Sequence, residues 1–266
     1  MTKNPFPLLN VSFMGCSKDT IEILYSASKI SLTSLDPREI WAKIHRNEIS
    51  REAMTDFVSE KFGDNCHAPL RQAQFIFVVD NISRLSASKL NRQQMEMGKT
   101  DLFRLSVNLQ DSVPVAATPP SFRDNPDLLK KWNGLQAEMV EFYHACREHH
   151  IDPDDAGFAL PQGLLCREQI SMNFQAIQRF MDQGLCENTQ WEIREMSWQI
   201  LQILKVEFPT LAKRLGIKCW ENRNLACDEP YHIYQSCKWN QDRPHKKDLN
   251  GIWNMKTFGT AQKKAM

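Results

Sequence analysis

The chain has 266 residues, a formal net charge of +1 and 42% hydrophobic residues. A charge so near zero gives no long-range field that would draw nucleic acid or an anionic membrane to the protein. The longest apolar runs, such as Phe75–Val79, are far too short to cross a bilayer, and the first residues lack the apolar stretch of a signal peptide. We therefore expect a cytoplasmic protein that binds neither nucleic acid nor membrane and keeps its cysteines reduced.

The first half of the chain alternates short apolar runs with helical patterns. Three runs rich in β-branched or aromatic residues are predicted to be strands: Leu9–Phe13, Phe75–Val79 and Phe103–Leu109. Helices are expected to begin near Asp19, Asp36-Pro37 and Ser50, because Asp and Ser cap helices and Pro suits a first turn. A polar helical pattern covers Ile82–Met95.

The second half is predicted to be mainly helical. Asn125–His150 is the longest amphipathic pattern, and Asp152-Pro153 is expected to open a short helix. Two further helices are expected over Gln169–Leu185 and Glu187–Phe208, separated near Gly184. Three large side chains of the second of these helices are expected in the core: Trp191, Trp198 and Phe208.

These elements predict an α+β fold, rich in helix, around a central mixed sheet. Residues 1–215 are expected to form one domain, and residues 216–266 a C-terminal extension. The extension is expected to be only partly ordered, because Lys238–Met266 is polar and has few apolar residues.

Two groups of short motifs bear on function. The later group consists of Gly157, Leu160-Pro161, Asn173, Arg179-Phe180 and Gln190-Trp191-Glu192-Ile193-Arg194. The earlier group consists of Gln72, Ser83-Arg84, Lys89, Arg92, Gln93, Gln94 and Leu102-Phe103-Arg104. In order and spacing the two groups resemble the signatures of flavin-dependent thymidylate synthases, the ThyX family. The signature of that family that corresponds to the later group begins with R-x-x-L-P and continues with N-x-R, H-F, L-R and A-Q-x-E-I-R.

The resemblance implies a ThyX-like fold with FAD as cofactor, and NADPH and methylenetetrahydrofolate as co-substrates. It places six residues beside the flavin: Gln72, Arg92, Gln93, Gln94, Asn173 and Asn188. Arg92 stands where the family has an arginine that helps hold the flavin phosphates, a task that suits the forked guanidinium. Gln72, Gln93, Gln94 and Asn188 replace histidine or arginine, so they keep hydrogen-bonding groups but bring no charge.

The resemblance places four residues at the nucleotide: Lys89, Arg104, Gly157 and Gly184. The two glycines replace arginines that meet deoxyuridylate in the family. Each lost charge-assisted contact is worth about 1.5–3 kcal/mol, so deoxyuridylate should bind at least about 10²-fold more weakly. The pocket is expected to be wider and less cationic than the family's, with Lys89 and Arg104 as its remaining anchors.

Two functions follow from the resemblance. The first is an enzyme that performs reductive one-carbon transfer to a pyrimidine nucleotide or a related substrate. It would be a homotetramer with flavin sites between subunits, and no catalytic residue is assigned because the flavin does the chemistry. The second is a catalytically inactive ThyX-like binding or regulatory protein, which the simultaneous change of several site residues would explain.

The cysteines near the C-terminus raise the question of a metal. Cys219, Cys227 and Cys237 with His232 have the composition of a Cys₃His zinc site, but they lack the close cysteine pair that such sites use. We expect buried thiols there and no metal.

Overall fold

The structure, a computed structural model, describes residues 9–30, 32–63, 68–92, 97–101, 116–219 and 226–249. Its strands are β1 (Asn10–Cys16), β2 (Gln74–Ser83), β3 (Met97–Asp101) and β4 (Leu165–Asn173). Its first helices are α1 (Thr20–Ile30), α2 (Pro37–His45), α3 (Arg51–Gly63), α4 (Arg84–Arg92) and α5 (Pro120–Arg123). They are followed by α6 (Pro126–Glu148), α7 (Pro153–Ala156), α8 (Phe174–Gly184), α9 (Trp191–Glu207), α10 (Pro209–Ala212) and α11 (Tyr231–Ser236). Short 3₁₀ helices cover Ala68–Arg71, Gly157–Ala159 and Lys246–Leu249.

The four strands form one sheet in the order β1-β2-β4-β3. Val79 at the middle of β2 pairs with Val11 on one side and Glu168 on the other, and Met97 pairs with Met172. The α+β fold is confirmed, but each of these pairings is antiparallel, whereas a mixed sheet was expected.

Strand β4 is the main element that the sequence does not predict, since residues 169–173 belong to the predicted helix Gln169–Leu185. Its inward positions are Glu168, Ile170 and Met172, and all three are buried. Because Glu168 is charged, the sequence does not show the alternation of apolar and polar residues that predicts a strand. The predicted strand Phe103–Leu109 lies outside the described residues, and the strand that pairs with β4 at the sheet edge is β3.

The core contains one face of the sheet, buried side chains of α1, α2 and α3, and the two long helices that follow β4. Phe75, Phe77 and Val79 are fully buried on one face of β2, as alternation requires. Phe75 packs on Phe174 of α8 and on Phe208, with ring centroids 5.7 Å and 5.3 Å apart. The side chains of α8 and α9 that complete this layer are Ile177, Phe180, Met196, Ile200 and Leu204.

The prediction that all three large side chains of the α9 region are in the core was only partly right. Phe208 packs against the core and Trp191 is half-buried. Trp198, in contrast, is 44% exposed, because its neighbours Met196 and Ser197 occupy the buried face of the helix.

Residues near the expected helix starts act as caps. The Asp36 side chain accepts a hydrogen bond from the Arg38 amide at 2.8 Å, and Ser50 Oγ accepts one from the Ala53 amide at 3.1 Å. Asp19 adopts a left-handed conformation (φ 55°), and its carbonyl accepts a bond from the Ile23 amide at 2.9 Å. No helix in the described parts of the chain is long and apolar enough to span a membrane.

The described part of the C-terminal extension packs on the end of α8 and on the turn that follows it. The Lys218 amide donates to the Asp182 carbonyl at 3.3 Å. His245 is buried, with its ring 4.9 Å from that of Tyr231 and 5.0 Å from that of Tyr234. The partial order of the extension and the domain boundary after residue 215 stay predictions.

Candidate functional site

The sheet register brings predicted flavin residues to one end of the sheet. Gln72 lies two residues before β2, and Gln74 of β2 pairs with Asn173, the last residue of β4. Beside them Met97, the first residue of β3, pairs with Met172. We call this end of the sheet the Asn173 end.

The chain reaches the Asn173 end from α4, whose last residue is Arg92. Five residue steps separate Arg92 from Met97, so the two Cα atoms are at most about 18 Å apart. Gln93 and Gln94 lie in this connection and outside the described residues, as does Arg104, and the side chain of Arg92 is likewise not described. Lys89 is exposed on α4.

Asn173 has a structural role that fixes its orientation. Its side chain is buried, and Oδ1 accepts a hydrogen bond from the Ala176 amide at 2.8 Å, which caps α8. The strand-to-helix junction therefore holds the amide group rigidly at the Asn173 end.

Gln72 lines a cleft of about 490 Å³, a volume typical of small-molecule sites. The other lining residues come from α1, α2 and the 3₁₀ helix before β2: Ile23, Ser26, Ala27, Ile30, Trp41, Ala68 and Pro69. Trp41 is itself stacked on His45, with ring centroids 5.4 Å apart. The cleft is therefore lined mainly by apolar residues, including one large aromatic residue, together with Ser26 and Gln72.

A cation at the Asn173 end was missed by the sequence analysis. Gln175 stands where the N-x-R motif has its arginine, and it is buried. Its Oε1 accepts a hydrogen bond from Nε of Arg71, an exposed residue next to Gln72 in the chain. A guanidinium from another element thus reaches the position where the motif arginine is absent. The only signal in the sequence was the proximity of Arg71 to Gln72.

The opposite end of β2 joins the two groups of motifs. The buried Glu192 carboxylate accepts hydrogen bonds from the Ser83 amide at 2.8 Å and from Ser83 Oγ at 2.5 Å. It also accepts bonds from Ser86 Oγ at 2.6 Å and from Gln190 Nε2 at 3.0 Å. The motif residue Glu192 therefore stabilises the junction of α9 with β2 and α4.

A β-bulge in β2 orients the Ser83 side chain toward Glu192. Asn81 is left-handed (φ 59°), and the register with β4 shifts between Asp80 and Ile82. The bulge breaks the alternation of the strand, so that Ile82 and Ser83 are both buried.

Asn188 and Gly184 lie near this opposite end, in and before the turn between α8 and α9. Asn188 Nδ2 donates to Glu229 Oε2 of the C-terminal extension at 2.8 Å. A Cβ on Gly184 would collide with Ser197 Oγ and lie 3.0 Å from Ser197 Cβ. Ser197 of α9 therefore fills the space next to Gly184.

Gly157 is buried in the 3₁₀ helix Gly157–Ala159, where its carbonyl accepts from the Leu160 amide at 3.2 Å. The chain then enters β4, whose first residue, Leu165, pairs with Ser83. The predicted residues thus form two groups: Gln72 and Asn173 at one end of α8, and Gly184 and Asn188 at the other. Since α8 has 11 residues, the groups are separated by about 16 Å.

The cysteines of the C-terminal region are free thiols. Burial, reinforced by the neighbouring thiols of Cys227, Cys186 and Cys237, raises the pKa of Cys219 to about 11. His232 is exposed. Within the described ranges, no three His, Cys, Asp or Glu side chains are arranged to hold a metal ion.

Comparison with known proteins agrees with the motifs. Residues 13–210 match the family model of the thymidylate synthase complementing protein. A flavin-dependent thymidylate synthase of Pyrococcus furiosus is 25% identical over 196 residues, which are 73% of this chain and 78% of that protein. One of Pyrococcus abyssi is 24% identical over 217 residues, 80% of this chain and 87% of that protein. A third, of Thermococcus onnurineus, is 29% identical over 133 residues, 50% of this chain, and the match spans only 54% of that protein. With a family model matched over most of its length, the chain belongs to the ThyX family of thymidylate synthase complementing proteins.

Proposed function

We propose that this protein is an FAD-dependent enzyme that performs reductive one-carbon transfer to a pyrimidine nucleotide or a related substrate. Methylenetetrahydrofolate would supply the carbon and NADPH the reducing equivalents. The observation that supports this most directly is that Gln72 and Asn173 lie at the Asn173 end, where Met97, five residues after Arg92 in the chain, begins β3. The relatives named flavin-dependent thymidylate synthase support the same function.

The residues at the Asn173 end fit a flavin. A flavin nucleotide has a flat ring system and an anionic phosphate tail, and the bound group would supply the hydride. The largely apolar cleft with Trp41 offers a wall for a flat ring, and Gln72, which also lines it, has an amide that can donate or accept hydrogen bonds. Arg71 brings a guanidinium group suited to phosphate oxygens, and we assign a second to Arg92 from the resemblance.

The division of the predicted residues between the two ends of α8 supports sites shared between subunits. Asn188 lies about one helix length from Asn173 in the same chain, so a second chain could bring the two kinds of residue together. We therefore propose a homotetramer in the cytoplasm, in which Asn173 and Asn188 of one site belong to different subunits. The flavin domain would comprise residues 1–215.

One observation favours the alternative, an inactive ThyX-like binding or regulatory protein. Asn188 is engaged by Glu229, and the space beside Gly184 is filled by Ser197. Both positions were predicted to face ligands, and each has instead a partner within the chain. The two functions differ in whether the flavin is bound and reduced.

Flavin binding is tested by the visible spectrum of the purified protein and of two variants. We expect a yellow protein, and we expect Arg92→Ala to weaken FAD retention by about 10- to 100-fold, because the variant lacks a charge-assisted phosphate contact. Gln93→Ala is the matched control, since glutamine neutralises no phosphate, and it should retain more FAD.

Two outcomes would contradict this proposal. A colourless protein that takes up no added FAD would exclude the flavoenzyme and leave the inactive alternative. A yellow protein in which both variants retain FAD equally would show that Arg92 is not the phosphate ligand.

A further inference from the structure

An exposed arginine is held by a buried amide at the Asn173 end. Arg71 is the last residue of the 3₁₀ helix Ala68–Arg71 and is exposed, whereas Gln175 of α8 is only 4% exposed. Nε of Arg71 donates a hydrogen bond to Oε1 of Gln175. Because the donor is charged, this bond is stronger than one between two neutral groups. The end of a long, flexible side chain is thereby kept at a defined place on the surface.

Gln175 is a fixed acceptor because the start of α8 is buried on every side. Residues 174–178 are all buried. Asn173 caps the helix, and the Phe174 ring packs edge-on against Phe62 with ring centroids 5.2 Å apart. A buried amide oxygen without a donor would be costly, so Gln175 is stabilised by the guanidinium that it orients.

Arg71 starts at the margin of the cleft that Gln72 lines. Ala68 also lines this cleft, and Arg71 follows it by one turn of the 3₁₀ helix. Residues three positions apart in a 3₁₀ helix lie on the same side of it, about 6 Å apart along its axis. Since Gln175 belongs to α8, the Arg71 side chain extends from the margin of the cleft toward the start of that helix.

The cleft and the guanidinium together suit a flat ring with an anionic tail. The largely apolar lining with Trp41 can take a ring, and a guanidinium has five N–H donors, of which Gln175 receives one. The positive end of the α8 dipole lies at the same place and also favours an anion. In a flavin the ribityl chain separates the ring from the phosphate, so a ring in the cleft puts the phosphate beyond the margin.

We propose that Arg71 contacts the phosphate end of the bound flavin and that Gln175 is the positioning residue of this contact. The inference rests on the proposed function and deepens it. It assigns the contact to an arginine of the 3₁₀ helix, at a site where the N-x-R motif has lost its own arginine to Gln175. FAD has two phosphates, so Arg71 and Arg92 can each contact one.

The first test compares riboflavin with FMN, which differ only in the phosphate. Calorimetric titration of the flavin-free protein gives both affinities. We expect Arg71→Ala to weaken FMN binding by about 10- to 100-fold, the effect of losing a charge-assisted contact, and to change riboflavin binding by less than about two-fold. Arg214→Ala is the matched control, because Arg214 is exposed and does not line the cleft, and it should change neither affinity.

A double-mutant cycle with the same two ligands tests the positioning role. Gln175→Leu removes the acceptor at similar volume, so FMN binding should weaken several-fold while riboflavin binding stays the same. Since Gln175 acts only through Arg71, the double variant should bind FMN no more weakly than Arg71→Ala alone. Circular dichroism verifies the fold, and Gln175→Met takes the place of the leucine variant if that variant does not fold.

Two results would overturn the inference and leave the flavin function standing. One is an Arg71→Ala variant that binds flavin and has the same ratio of FMN to riboflavin affinity as the wild type, which would exclude the phosphate contact. The other is a double variant in which the losses of the single variants add, which would exclude positioning through Arg71.

A wild type that binds no flavin would instead refute the proposed function, and ADP would then test the anion site by itself. ADP has a flat ring and two phosphates but no flavin ring. Weaker binding of ADP to Arg71→Ala than to the wild type would support the anion site. Equal binding to both proteins, or no binding to the wild type, would overturn it.

Discussion

Glu192 shows why a motif residue must be placed in the structure before it is given a chemical role. A buried carboxylate in a family signature has the features of a catalytic acid or base. Here it accepts four hydrogen bonds, from Ser83, Ser86 and Gln190, and none of these donors is charged. Its role is to join α9 to the far end of β2. Through this contact a residue of the later group of motifs, Glu192, is bonded to a residue of the earlier group, Ser83.

We predict that Glu192→Ala lowers the free energy of unfolding by at least about 2 kcal/mol, because it leaves several buried donors without an acceptor. Glu192→Gln should lower it less, since the amide oxygen still accepts some of these bonds. Glu195→Ala is the control: Glu195 is exposed on the same helix, and its loss should change stability by less than about 0.5 kcal/mol. Urea unfolding measures all three, and equal stability of Glu192→Ala and the wild type would refute the role.

At the scale of single elements, local sequence rules predicted the helices better than the sheet. Asp36 and Ser50 correctly predicted the starts of their helices, because a capping hydrogen bond involves only neighbouring residues. Strand β4 was missed because buried Glu168 interrupts its apolar pattern. The contact between Arg71 and Gln175 joins residues more than 100 positions apart, so no local pattern could announce it.

The close approach of α8 and α9 depends on Gly184. Because a Cβ at this position would collide with Ser197, Gly184→Ala should lower the free energy of unfolding by about 1–3 kcal/mol, the usual cost of overpacking. Replacing Ser197 by glycine in the same chain should recover part of that loss. Gln183→Ala, at an exposed position of α8, is the control and should be nearly neutral. Thermal unfolding would show this, and full stability of Gly184→Ala would mean that the helices separate freely.

At the scale of the whole molecule, the C-terminal extension contacts the region between α8 and α9, where the predicted site residues Gly184 and Asn188 lie. Glu229 accepts hydrogen bonds from Asn188 at 2.8 Å and from Lys218 at 3.1 Å. Although burial opposes a charged Lys218, its bonds to Asp228 and Glu229 raise its pKa above the ordinary value. The resemblance to the family could not predict these contacts, because the matching residues end before residue 216.

The last prediction concerns the substrate of the assembled protein. Gly157 and Gly184 bring no charge, so neither position supplies the guanidinium contact with deoxyuridylate that the resemblance implies for the family, and Ser197 fills the space next to Gly184. We expect the protein not to rescue a thymidine auxotroph. We also expect it to bind deoxyuridylate at least about 10²-fold more weakly than the Pyrococcus furiosus relative produced in the same strain. Robust rescue would contradict this and would mean that arginines elsewhere, Arg167 or Arg179 for example, have taken over the lost contacts. A strain that fails to grow although the protein accumulates and is yellow would point to a different pyrimidine substrate, which mass spectrometry of the co-purified ligand would identify.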